Sequence, residues 1–235
     1  RDSAEKEELD RALIRAAVTA LDTEQFDRLP EPSSWDEAFA LEAAARAPVL
    51  FALANDTART NDRIDVDQLA ARPELADHLE GFKSLIDTKT DWSDAPLGRR
   101  AQLFLNRESW GMATALYRSN GWSGVEVARL RPPSRGADVV RPADWLAGEP
   151  VGSWHWPEDE NEEARPPERK GRVGPIVTAF WLATHIPPEQ ARMVYAGWAA
   201  DQYRYFASTD KAPARLEWLT QWNSPSSARQ ITRAF

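Results

Sequence analysis

Over most of this 235-residue chain, apolar side chains recur three and four residues apart, the spacing of one face of an α-helix. From Ala4 to about Leu21, the positions Leu9, Leu13, Ala17 and Leu21 keep that step, with Ile14 and Val18 beside them. Two prolines in LPEPSSW interrupt the pattern. Ser34 followed by Glu37 forms a capping box, and a strongly apolar helix is predicted from about Trp35 to Asn55. Pro48 inside it predicts a kink or an early break. IDVDQLAARPELADHLEGFKSLI predicts two short helices divided near Pro73. A long helix follows from Pro96 to Asn120, ended by Asn120 or Gly121 in a left-handed cap. Trp122 to Leu130 is a short helix stopped by Pro132-Pro133.

Further along, the period changes. In EPVGSWHWP, Val151, Ser153 and His155 alternate with Gly152, Trp154 and Trp156, which predicts a strand. The run EDENEEARPPERKGR is acidic first and basic last; it predicts a solvated loop, with an acidic docking loop or cation site as the alternative. Val173 to His185 predicts an apolar helix, and Pro187-Pro188-Glu189 opens another running to about Phe206. RLEWLTQWN predicts a second Trp-rich strand, after which Ser224 or Ser226 caps a final helix to Phe235. No internal repeat is visible. The expectation is a mainly α-helical α+β fold with a small β-hairpin toward the C-terminal half. It is read as one domain over 1–235, divisible into 1–95 and 96–235.

Charge and composition narrow the function classes. With 29 Lys plus Arg against 37 Asp plus Glu, the formal net charge is -8, which argues against a nucleic-acid partner. No apolar run approaches the roughly 18 residues of a membrane span. The chain has no cysteine, so disulfides, thiolate metal sites and cysteine nucleophiles are excluded from it. It opens with RDSAEKEELD and no Met, so a removed signal segment or an upstream lipid anchor stays open. Eleven Trp are spread along the chain, for core packing first and a binding groove second.

Few constellations suggest chemistry. The three histidines, His78, His155 and His185, are never three or four residues apart, so no helix offers paired imidazoles to a metal. His155 reads as a hydrogen-bonded structural residue between two Trp, and His185 as a residue suited to a helix C-terminus. GWSGVE lacks the Gly-x-Ser-x-Gly spacing of a nucleophile elbow, since Gly124 follows Ser123 directly. No glycine-rich phosphate loop occurs. Carboxylate pairs are too numerous for any one pair to specify glycoside hydrolysis.

Taken in order, five segments resemble a family of secreted or lipoprotein-type bacterial proteins built like HExxH zinc metallopeptidases, with a zincin-like helical core. RAAVTALDTEQFDRL resembles the first signature through Ala20-Leu21, Gln25 and Phe26-Asp27. LEAAARAPVLFAL lies where the second, Glu-bearing helix would fall. LYRSNGWSGVEVARLRPPSRGADVVRPADWL, GWAADQYRYF and TQWNSPSSARQITRAF resemble the later Trp-, Pro-Pro- and Tyr-bearing segments. The resemblance places the two zinc-binding His at Arg15 and Thr19, the general-base Glu at Ala16, the third-ligand Glu at about Ala44, and the His of a later His-Pro step at Arg141. Catalytic zinc needs about three N or O ligands and a water position. A guanidinium has donors only, and a methyl neither ligates nor accepts a proton.

The resemblance therefore implies a scaffold that has lost its metal: no cofactor, no catalytic residue, and Arg15 filling the vacated space with a carboxylate such as Glu42 as its partner. The leading expectation is a non-catalytic, metallopeptidase-like protein acting as a structural or protein-binding subunit of an extracytoplasmic assembly, in the periplasm or cell envelope, with another protein as partner. Two rivals are carried with it: a hydrolase using a carboxylate in a Trp-lined cleft, with Asp201 as its residue, and a carbohydrate- or peptide-binding module. Trp122, Trp198, Asp201 and Tyr203 form the candidate ligand or scaffold cluster; for Asp201 alone, a structural role in bonding nearby backbone is the stronger reading.

Overall fold

The computed structural model describes residues 32, 34–62, 64–87, 95–148, 167–210 and 212–232. The helix expected over Ala4–Leu21, the strand expected over 151–156 and the charged run after it lie outside the described residues. The described chain is mainly helical with one small antiparallel sheet, as an α+β class requires. It divides into two compact units, one holding Leu41–Pro132 and the other Pro32–Ala40 with Pro133–Phe235. Residues 95 and 96, where the sequence suggested a division, both lie in the first unit; the chain passes between the units at Ala40-Leu41 and again at the Pro132-Pro133 step.

The first unit is built on the helix α1, Trp35–Thr57, from Leu41 onward. Ser34 caps it by accepting a hydrogen bond from the Glu37 N–H at 3.2 Å. Pro48 does not break it. Ala43, Ala44, Ala47, Phe51 and Ala54 are buried on one face, so packing holds the helix together where the proline removes one hydrogen bond. A π-helical turn, Ala58–Asp62, ends it. The short helices α2 (Val66–Ala71) and α3 (Lys83–Ile86), with a 3-10 segment Pro73–His78 between them, pack on the long helix α4 (Leu97–Leu130). Asp65 and Gln68 form the capping box of α2. In α4 the helical geometry breaks at Asn120 and Gly121, the latter at φ 59°, where the sequence predicted a helix end.

Aromatic rings fill this unit. The Phe51 ring lies 5.7 Å from Trp110, 4.9 Å from Tyr117 and 5.1 Å from Trp122, and Phe82 meets Trp110 edge-on at 5.3 Å. Polar ties surround the cluster. The Trp110 indole donates to the Pro73 carbonyl at 3.1 Å, the Asn106 amide donates to the Leu85 carbonyl at 2.9 Å, and Arg107 pairs with Asp77.

In the second unit the sheet runs β1 (Arg169–Gly171), β2 (Trp198–Phe206), β3 (Arg215–Trp222), antiparallel throughout. β2 corrects the sequence reading, which carried a helix from Pro188 to about Phe206. Two single-turn helices, Pro188–Ala191 and Val194–Gly197, occupy only the start of that span. From Trp198 on, Tyr203 and Tyr205 alternate with Arg204 and Phe206; aromatic residues on a period of two fit a pleated surface better than a helix face. The hairpin is therefore β2–β3, with Tyr203 opposite Trp218 and Tyr205 opposite Leu216. The helix Gly174–Leu182, called α7 here after α5 (Gly136–Val140) and α6 (Pro142–Ala147), packs on α5 and β2. The last helix, Pro225–Thr232, follows Ser224, whose carbonyl accepts from the Ala228 N–H at 3.2 Å.

Two substitutions test this packing. Phe51→Ala removes the ring on which three others close and should cost about 3–5 kcal/mol, read as a lower urea midpoint. Gly111→Ala sits in the α4 interior, exposed, with no atom within 4 Å of an added Cβ. It should stabilise by about 1 kcal/mol and raise the thermal midpoint.

Candidate functional site

One cluster in the second unit combines burial, charge and an open aromatic surface. It begins at the loop Arg172–Val173 and the first turn of α7. Asp201, buried on β2, accepts hydrogen bonds from the Val173 N–H at 2.7 Å, the Gly174 N–H at 3.2 Å and the Trp218 indole N–H at 2.9 Å. The first two donors belong to the helix start, where backbone N–H groups lack intrahelical partners and a carboxylate is favoured. The third fixes a ring. Burial raises the Asp201 pKa above the ordinary carboxylate value, against the lowering effect of those three donors and of the Arg172 charge.

Asp36, on the first turn of α1, is the second buried carboxylate. It accepts from the Gly136 N–H at 2.8 Å. Gly174, at φ 77°, brings its backbone so close that a Cβ there would fall on the Asp36 carboxylate, and one on Gly136 would crowd it as well. With one strong donor, burial dominates, and the Asp36 pKa is pushed up to about 7. The nearby Asp201 and Asp138 charges raise it further, while the Gly136 N–H and Arg172 lower it. Asp138, also buried, is paired with Arg135 at 3.3 Å.

In front of the Asp201–Trp218 bond opens a groove of about 780 Å³. Its floor is one face of the sheet, with Tyr203, Tyr205, Leu216 and Trp218; one wall is α7, with Val177 and Trp181, and Trp35 also lines it. The Trp181 and Trp218 rings stand at 76° to each other with centroids 6.3 Å apart. Trp35 is 65% and Trp181 43% exposed, and together they add exposed apolar area along the groove. Glu168 and Arg169 complete the lining. An adjoining chamber of about 600 Å³ shares Trp35, Glu168, Arg169 and Tyr203 with the groove, and adds Ser34 and Lys170.

Against the sequence expectations, the structure brings Trp198, Asp201 and Tyr203 together on β2 but not Trp122, which belongs to the first unit and packs on Phe51 and Tyr117. Trp198 is buried edge-on against Trp222 at 5.4 Å, and Tyr203 lines the groove. Arg15, Ala16 and Thr19 lie outside the described residues. Ala44 is buried in α1, and its methyl offers no ligand. Glu42, expected to pair with Arg15, is bonded by Arg46 on its own helix, and Arg46 also donates to Asn106 at 2.7 Å. Among the described residues no group of three or more His, Cys, Asp and Glu could hold a metal ion. Trp35, Asp36, Trp181 and Trp218 were not singled out in the sequence; the alternation of RLEWLTQW was a usable signal for Trp218, and Asp36 had none beyond its place in a helix first turn.

No family model, curated protein or solved structure matches the chain.

The carboxylates give a pH prediction. A folded-state pKa near 7 for Asp36, against 3.8 unfolded, means that between these values the folded chain binds more protons than the unfolded one. Its contribution favours folding most below pH 3.8 and is lost as the pH rises to about 7. The full linkage is about 4 kcal/mol as an upper figure. Urea midpoints measured from pH 5 to 8 should fall for the native chain, and Asp36→Asn should flatten that slope.

Proposed function

We propose that this protein is a non-catalytic binding protein that takes its ligand in the aromatic groove of the second unit. The observation that carries the reading is the pair of half-exposed to exposed indoles, Trp35 and Trp181, around a floor of Tyr203, Tyr205 and Trp218. Ligand sites are concave, mostly apolar, and carry a few placed polar groups, which describes this groove with Glu168 and Arg169 at its side. Asp201 supports the same reading: its oxygens are taken up by the α7 N–H groups and the Trp218 indole, so it acts as the fixture that sets the floor. Absence of catalysis rests on the sequence resemblance, in which Arg15, Ala16, Thr19 and Ala44 stand where a zincin-like peptidase has its ligands and base. An extracytoplasmic setting with a protein partner belongs to this reading through the same resemblance.

A hydrolase reading draws on one observation, the Asp36 pKa pushed up by burial to about 7, which keeps a proton available near neutrality, as a general acid requires. It also lines a polar chamber with Arg135 and Arg172. Its packing between Gly136 and Gly174 favours the structural role.

Indole N–H resonances separate these readings. A panel of small organic cations, short peptides and oligosaccharides should shift the Trp35, Trp181 and Trp218 signals, each assigned by a single Trp→Phe variant. No panel member should be turned over, with or without added zinc. Chelator-sensitive cleavage of a peptide, or turnover abolished by Asp36→Asn in a chain that stays folded, would overturn the binding reading.

A further inference from the structure

The groove is not a flat apolar strip. Trp181 stands nearly at a right angle to Trp218, Tyr203 and Tyr205 lie on the floor beside Trp218, and Trp35 lines the same space. Aromatic faces carry the negative part of the ring quadrupole, and a box of such faces attracts a cation that needs little hydration. Glu168 and Arg169 add one formal charge of each sign to the lining, so the attraction for a cation is carried by the rings. The whole chain carries a formal net charge of -8, which favours a cation on approach. A primary ammonium keeps its water tightly, whereas a quaternary ammonium spreads its charge over methyl groups and can be desolvated by rings.

The adjoining chamber adds a second cationic side chain to the shared lining. Arg169 and Lys170 from β1 line it together with Ser34, and it shares Trp35, Glu168, Arg169 and Tyr203 with the aromatic box. A molecule seated across the shared lining therefore meets Trp181, Trp218 and Tyr205 at one end and Lys170 with the Ser34 hydroxyl at the other, with Glu168 and Arg169 in the shared part between them. Resting on the binding reading above, we propose that the ligand is a zwitterion that joins a quaternary ammonium to a phosphate, the chemistry of phosphocholine. The trimethylammonium sits in the box of Trp35, Trp181, Trp218 and Tyr203, and the phosphate lies toward Arg169 and Lys170.

The test titrates the full chain with phosphocholine, choline, inorganic phosphate and 3,3-dimethyl-1-butanol, the uncharged carbon isostere of choline, reading calorimetric heat and the indole N–H shifts. Phosphocholine is expected to saturate, choline to bind more weakly, and the isostere to bind roughly tenfold more weakly than choline, the size of a cation–π contribution. Trp181→Ala should weaken choline and phosphocholine alike. Arg169→Glu should weaken phosphocholine while leaving choline at least as tight as before. Both positions are solvent-exposed, so these variants keep the fold, and an unchanged thermal midpoint checks it. Vesicles of phosphatidylcholine against vesicles of phosphatidylglycerol separate a lipid headgroup from the free molecule. If the isostere or a peptide shifts the groove indoles as strongly as choline does, the ligand class is wrong and the groove reading stands. If none of these probes shifts them while an oligosaccharide does, the ligand class is wrong and the groove reading stands; if neither these probes nor any peptide or oligosaccharide shifts them, both fail.

Discussion

The second unit turns on one electrostatic contact, the Asp201 carboxylate set against the first N–H groups of α7. A helix start exposes unpaired donors with a partial positive charge, and a buried carboxylate is itself costly unless such donors meet it. Each makes the other tolerable. The same carboxylate reaches through to the Trp218 indole on β3, so one group joins a helix, a loop and two strands. Trp218 lines the groove with its ring and is held by its nitrogen. The ring that lines the groove is thus fixed by a bond to a buried carboxylate.

Asp36 shows the contrary case, a carboxyl with a single backbone donor from Gly136 and two other acids in its field. Where Asp201 accepts from three donors, Asp36 accepts from the Gly136 N–H, and burial pushes its pKa up to about 7. The two acids differ in what surrounds them rather than in kind, and the surroundings were assembled from segments about 100 residues apart in the chain, as the Asp36–Gly136 bond illustrates. The glycines complete the arrangement, since Gly174 adopts a positive φ and leaves the space that a side chain would fill.

Much of the helical organisation was legible in the sequence because it is local. Ser34 with Glu37, the break at Asn120-Gly121, the Pro132-Pro133 stop and the apolar run near Val173 each act over a few residues, and each falls where expected. β2 was misread because GWAAD supplies small residues that also suit a helix, and only its pairing with β1 and β3 selects the strand. Pro48 was overrated for a related reason: the buried alanine face around it outweighs one lost hydrogen bond. In the site, Asp201 and Tyr203 could be picked out through their motif, whereas Trp35, Asp36 and Trp181 gain their meaning only from neighbours distant in sequence. The stretch bearing Arg15, Ala16 and Thr19 lies outside the described residues, so its reading stays with the sequence.

The contrast between Gly174 and the exposed groove residues has an evolutionary consequence. Gly174 and Gly136 are locked by the Asp36 carboxylate, and almost any replacement there damages the fold. Trp35, Arg169 and Leu216 are exposed, and their replacement leaves the buried network untouched. Inheritance can therefore hold the frame constant while the lining drifts, and the chemistry of the groove can change without passing through an unfolded intermediate sequence.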